Sequence, residues 1–156
     1  MLELAGELAE TGSEKLSSLV GNGDWTGDGL AAATDVADGF LDLWTREGAL
    51  LSVIDLAAAA GDARFRVVRT QLLNAPAEAF STVVARAIEE GQVAADVSAE
   101  ATAAALVSML AHVAAHAVGI TGWGPSVDEL RAGMARIVSW AVSGATGPAP
   151  VAGHSG

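Results

Sequence analysis

Cysteine is absent from the 156 residues. That removes any disulfide framework, any thiolate nucleophile and any cysteine metal site. Aromatic residues make up only 4% of the chain, although 51% of it is hydrophobic. The core must therefore be built from small side chains on helices rather than from β-branched and aromatic strands. Positive charge is scarce as well: 8 Lys and Arg stand against 19 Asp and Glu, a formal net charge of -11. Nucleic-acid binding depends on neutralising phosphates, so this chain by itself is a poor DNA-binding surface. A Gly-x-Ser-x-Gly elbow and a phosphate loop are both missing. The carboxylates lie mostly on solvated helix faces, where no general acid/base pair stands out. An enzyme is not expected, and no motif asks for a cofactor. Residues 1–20 are acidic and broken by Gly6, Gly12 and Ser13, unlike a signal peptide. A cytoplasmic protein fits best.

The positive signal is helical periodicity. Leu4, Leu8, Leu16, Leu19 and Val20 share a face of a first amphipathic helix, with Gly12 and Ser13 as its weak point. Gly21-Asn22-Gly23 reads as a loop, because glycine and asparagine readily take left-handed conformations. Asp24, Thr26 and Asp28 compete as N-caps for the second helix. From about 28 to 47, Leu30, Ala33, Ala37, Phe40, Leu41 and Trp44 keep helical spacing, with Asp35, Asp38 and Asp42 opposite. Gly48 weakens that helix, and residues 49–60 form another apolar stretch. Gly61-Asp62 is a stop and a restart. Phe65 to Ile88 hold helical spacing across Pro76, which predicts a kink near Asn74–Pro76. Arg64, Arg66, Arg69 and Arg86 supply half of the basic charge and read as a solvated face. Ser126 caps a last helix with Asp128 and Glu129 in its first turn. From Ser143 the composition turns to Gly, Ala, Pro and Ser, and 144–156 read as a disordered tail. No segment has strand periodicity. The expectation is an all-α bundle of about six helices in one domain, 1–143.

The stretch from Ser98 to Gly119 organises the rest. Ala101, Ala104, Leu106, Val107, Met109, Leu110, Val113, Ala114, Ala117 and Val118 occupy nearly every angle of a helix. A helix apolar all round must be covered on more than one side. Its own domain covers one side, and a partner subunit or a lipid phase must cover the other. Residues 101–120 are about long enough to span a bilayer. Two histidines, alanine in place of leucine and the lack of flanking Lys/Arg bias argue for a partner and against a membrane. His112 and His116 share a face at i, i+4. That spacing suits helical zinc sites, but no Glu follows His112, so the metalloprotease motif is missing. A hydrogen-bonded pair at a pocket or subunit interface is the preferred reading, with no metal.

From Ala85 to Leu110 the sequence ARAIEEGQVAADVSAEATAAALVSML resembles the junction of the seventh and eighth helices in tetracycline-repressor (TetR/AcrR) family regulators. The preceding TREGALLSVIDLAAAAGDARFRVV is similar to the sixth-helix region of actinobacterial members. The stripe from Val127 to Trp140 resembles their ninth helix. Residues 1–20 look like the fourth helix, which links the DNA-binding head to the body. The resemblance therefore implies that this chain lacks the helix-turn-helix head, and that DNA is reached only through that missing N-terminal domain.

The resemblance also implies two tasks for the body. In the family the eighth and ninth helices of two subunits pack as a four-helix interface, a symmetric arrangement. Here that implies a homodimer through Val107, Leu110, Ala114, Val118, Leu130, Met134, Ile137 and Ala141. Helices four to eight surround a pocket for a small hydrophobic effector. The larger side chains of the middle helices are its expected lining: Phe40, Trp44, Leu51, Ile54, Phe80, Met109, His112 and Val113. Trp25 and Trp123 lie in Gly-rich contexts, as pocket lids or surface aromatics. The function implied is an effector-sensing, dimerising regulatory domain of a repressor. Its rival is a ligand-free helical dimerisation module that pairs with full-length regulators, and a closed interior would favour that rival.

Overall fold

The computed structural model describes residues 1–144 and consists there of five helices: α1 (Leu2–Gly21), α2 (Leu30–Ala59), α3 (Ala63–Glu89), α4 (Ala99–Thr121) and α5 (Val127–Ser143). Among the described residues there is no strand. The expected disordered tail lies, beyond Gly144, outside them.

The sequence pattern suggests six helices and five are found, because Gly48 does not break α2. A mid-helix glycine costs only about 1 kcal/mol relative to alanine. On both sides of it α2 buries large side chains, Phe40, Leu41 and Leu43 before and Leu51 and Ile54 after. Fully burying each contributes roughly 1.5–3 kcal/mol. The same reason carries α1 through Gly12 and Ser13, both of which are buried. α3 likewise continues as one helix through Pro76, whose ring is buried.

Caps follow local chemistry closely. The Asp62 carboxylate accepts from the Arg64 N–H, the Ser98 hydroxyl from the Ala101 N–H, and Ser126 forms a capping box with Glu129. The start of α2 differs from expectation. Gly29 takes the N-cap position at φ 63, a left-handed geometry suited to glycine. Asp28 sits one residue earlier and accepts from the Leu30 N–H at 3.1 Å. Asp24 instead accepts from the Thr26 N–H and hydroxyl at 3.0 and 2.6 Å, which closes a local turn. Asn22 is right-handed, so the expected left-handed residues of that loop fall later, at Gly27 and Gly29.

α2 and α3 form the centre, and each packs against all the other helices. The most extensive pairing is α1 on α3. Gly12 permits it, since a Cβ there would meet Leu72 Cδ1 at 2.9 Å. α5 is tied to the start of α2 by the Ser139 hydroxyl, which donates to the Asp28 carbonyl at 2.7 Å, and by the Arg131–Asp38 ion pair. These ties leave the second half of α2, the first half of α3 and the middle of α4 to border a space of their own.

Candidate ligand-binding cavity

A cavity of about 490 Å³ lies between α2, α3 and α4. α2 contributes Trp44, Leu51, Ile54 and Asp55; α3 contributes Arg69, Leu72 and Leu73; α4 contributes Ser108, Met109, Ala111, His112, Val113, Ala115 and His116. The three helices supply these residues at helical repeats, so each presents one stripe to the space. Leu51, Ile54 and Leu72 are buried and form an apolar wall. Trp44, Met109 and Val113 are half-buried. The size and the mostly apolar lining with a few polar groups match ordinary small-molecule sites.

The polar groups gather at the rim. Arg69 Nε lies 3.0 Å from Asp55 Oδ1 and ties α3 to α2. The His112 and His116 rings stack with centroids 4.2 Å apart and planes 25° apart. His116 Nδ1 is 2.8 Å from the His112 carbonyl oxygen, which can only accept, so Nδ1 carries the proton. Nε2 is then the ring's remaining polar atom, an acceptor in the neutral ring and a donor in the charged one. Among the described residues no group of three His, Asp or Glu gathers in the way a metal site requires.

The structure brings together Trp44, Leu51, Ile54, Met109, His112 and Val113 on this cavity, and it leaves out Phe40 and Phe80. Both phenylalanines are fully buried in the core. Phe40 stacks behind Trp44, and Phe80 packs beside Trp25 with ring centroids 6.0 Å apart. Trp25 does not line the cavity; its Nε1 donates to the Val20 carbonyl at 2.8 Å. Trp123 is 84% exposed. Asp55, Arg69, Ser108 and His116 complete the rim, where the sequence pattern does not place them as lining. Arg69 reads in sequence as part of a solvated basic face, and nothing in its local pattern shows that one edge of that face borders a cavity.

The residues expected at a subunit interface divide in two. Val107, Leu110, Ala114 and Met134 are buried within the chain itself, so as placed they are covered by their own domain. Val118 and Ile137 are exposed, and Leu130 and Ala141 are half-buried. The largely apolar character of α4 conceals this division, since its exposed stripe carries the small residues Ala101, Ala104, Ala105, Ala115 and Gly119 interleaved with Ser108, His112 and His116. Only 28% of the most apolar 18-residue stretch of α4 is buried, and by length and composition the helix could cross a membrane.

A larger groove of about 1220 Å³ runs between α1 and α3. Glu10, Ser13, Glu14, Arg66, Thr70, Gln71 and Asn74 border it, although most of the surface it exposes is apolar. It is the more open of the two, a furrow on the surface, and the smaller, more enclosed cavity is the candidate ligand site.

Five helices with a partly open, apolar-lined cavity between three of them make up an all-α domain. Over residues 16–150 the chain matches the model of the family described as tetracyclin repressor-like, C-terminal domain. The chain belongs to that family, a family of regulatory ligand-binding and dimerisation domains. Neither the curated proteins nor the solved structures contain a match to it.

Proposed function

We propose that this chain is the effector-sensing, dimerising body of a TetR-type transcriptional regulator, a cytoplasmic repressor. The observation that carries the reading is the 490 Å³ apolar cavity between α2, α3 and α4 in a domain of this family. A small hydrophobic molecule in it would contact Trp44, Leu51 and Ile54 on one side and Met109, His112 and Val113 on the other. The site joins three helices, and the Asp55–Arg69 bridge at its rim is exposed enough to part and reform. A ligand that prefers one spacing of α2, α3 and α4 shifts the population toward it, by as much as its affinities for the two states differ.

The second part of the proposal is a homodimer. The exposed stripe of α4 has small residues outside the cavity lining, Ala101, Ala105 and Gly119, that let a partner helix approach closely. α5 adds Ile137 and Trp140, which are 45% and 51% exposed. Pairing these faces in two copies would bury them symmetrically. With a net charge of -11 the body itself repels DNA, so operator contact on this reading belongs to a basic helix-turn-helix segment outside these residues.

The test uses a neutral, environment-sensitive dye, N-phenyl-1-naphthylamine, titrated into the wild-type protein and into Val113→Trp. The half-buried Val113 borders the cavity, and an indole there fills it. Saturable fluorescence gain in the wild type and its loss in the folded variant support sensing. No saturable binding in the wild type would favour the ligand-free dimerisation module instead.

A further inference from the structure

The chamber does not end at its rim. A second cleft of about 370 Å³ lies between α3 and α4 and shares Arg69, Leu73 and Ser108 with the chamber. Its other polar lining is Arg66, Thr70 and Asn74, and no carboxylate lines it. Arg66 and Arg69 stand at i, i+3 on α3 and so share a face. Arg69 spends its Nε on Asp55, which lies on the chamber side, while a guanidinium has further donors. Among the described residues no carboxylate pairs with Arg66. Glu10 and Glu14 stand in the α1–α3 groove that Arg66 also borders, and Glu78 accepts from Asn74, so the positive character is confined to the cleft itself, whose own lining holds two arginines and no carboxylate. Charges farther away are screened over about 10 Å at ordinary ionic strength, which leaves Asp55, already met by Arg69, as the carboxylate closest to the two guanidinium groups.

We propose that the site takes an amphipathic carboxylate, with its apolar tail in the chamber and its carboxylate held by Arg66 and Arg69 in the adjoining cleft. The proposal rests on the ligand-sensing reading above and names the chemical class of that ligand. Arginine suits the task because its planar fork matches a carboxylate with paired, charge-assisted hydrogen bonds. Ser108 adds a hydroxyl at the junction of the two spaces.

Calorimetric titration with three ten-carbon probes, decanoate, 1-decanol and decylamine, tests it in the full chain. The expected result is that decanoate binds about tenfold or more tighter than decanol, as hydrogen bonds to a charged group warrant, and that decylamine binds weakest. The double variant Arg66→Gln, Arg69→Gln alters two exposed side chains and should keep the helical circular dichroism of the wild type. In it the decanoate advantage should vanish, and in Arg66→Gln alone, which keeps the Asp55–Arg69 bridge and the chamber lining, that advantage should fall severalfold with decanol binding unchanged. In the wild type, raising the salt concentration should reduce the decanoate-to-decanol ratio without any variant. Equal binding of decanoate and decanol, or an advantage that survives the double variant, overturns the carboxylate assignment and leaves the apolar-ligand reading standing. Failure of all three probes to bind the wild type overturns both.

Discussion

Phe40 stacks on Trp44, with ring centroids 6.0 Å apart and planes 10° apart, so a fully buried core residue backs a residue of the cavity wall. The two positions should therefore respond differently. Phe40→Ala removes a buried ring and should cost about 3–5 kcal/mol of folding stability. Trp44→Ala, at a half-buried position, should cost much less stability but weaken binding of a neutral apolar dye roughly tenfold, the equivalent of about 1.4 kcal/mol. Denaturant titration and dye titration on the same two variants separate the effects.

Two glycines of α2 make opposite predictions. A Cβ at Gly39 would collide with the Leu19 side chain on α1, whereas at Gly48 it would meet nothing within 4 Å. Gly39→Ala should destabilise by about 1–3 kcal/mol through overpacking. Gly48→Ala should stabilise by about 0.5–1 kcal/mol, because only the helix propensity changes. Chemical denaturation midpoints measured side by side give both signs.

The cap of α3 carries an acid-range signature. The Arg64 side chain donates to the Asp62 carboxylate and, with helix N–H groups, holds its pKa at about 2 rather than the ordinary 3.8. A depressed pKa stabilises the fold above the unfolded value and loses that contribution as pH falls through the folded value. Thermal midpoints should therefore drop between about pH 4 and pH 2. Asp62→Asn should show a shallower drop over that window, since Asn still caps but does not titrate. Glu129 and Asp24, both also lowered by hydrogen bonds from neighbouring residues, act in the same direction, so the slope should lessen and not disappear.

The assembly prediction rests on exposure. Light scattering without detergent should give a dimer mass for the wild type and a monomer mass for Ile137→Asp, with helicity retained, since Ile137 is 45% exposed. Leu110→Asp is a different case: Leu110 is fully buried, and the variant should unfold because it places a charge in the core. A wild-type monomer with the same helicity would contradict the proposed pairing of α4 and α5.

How far the sequence carries depends on which forces are local. The caps at Asp62, Ser98 and Ser126 are legible because a side chain and the next turn's N–H groups decide them. The stripes of α2 and α4 locate most of the cavity wall, because large apolar residues at helical spacing have to point somewhere common. Gly48 reads as a break and is none, since propensity is weak against burial on both sides of it. Phe40 and Phe80 read as wall and belong to the core, because a large ring looks the same in either place. The faces of α4 are only faintly legible: alanine on every side gives little contrast beyond Ser108, His112 and His116, and Leu110 and Val118 differ only in what packs on them. Arg69 is hidden for the complementary reason, a charged residue on an exposed face whose neighbour across the gap is 14 positions away at Asp55.

Hydrogen–deuterium exchange with and without saturating 1-decanol addresses the central claim most directly, because it reports where an apolar ligand sits. If the chamber is the ligand site, added protection is expected in 44–55 of α2, 69–73 of α3 and 108–116 of α4, the segments that border the 490 Å³ cavity. Protection confined to the α1–α3 groove, around 6–14 and 63–75, would contradict that claim.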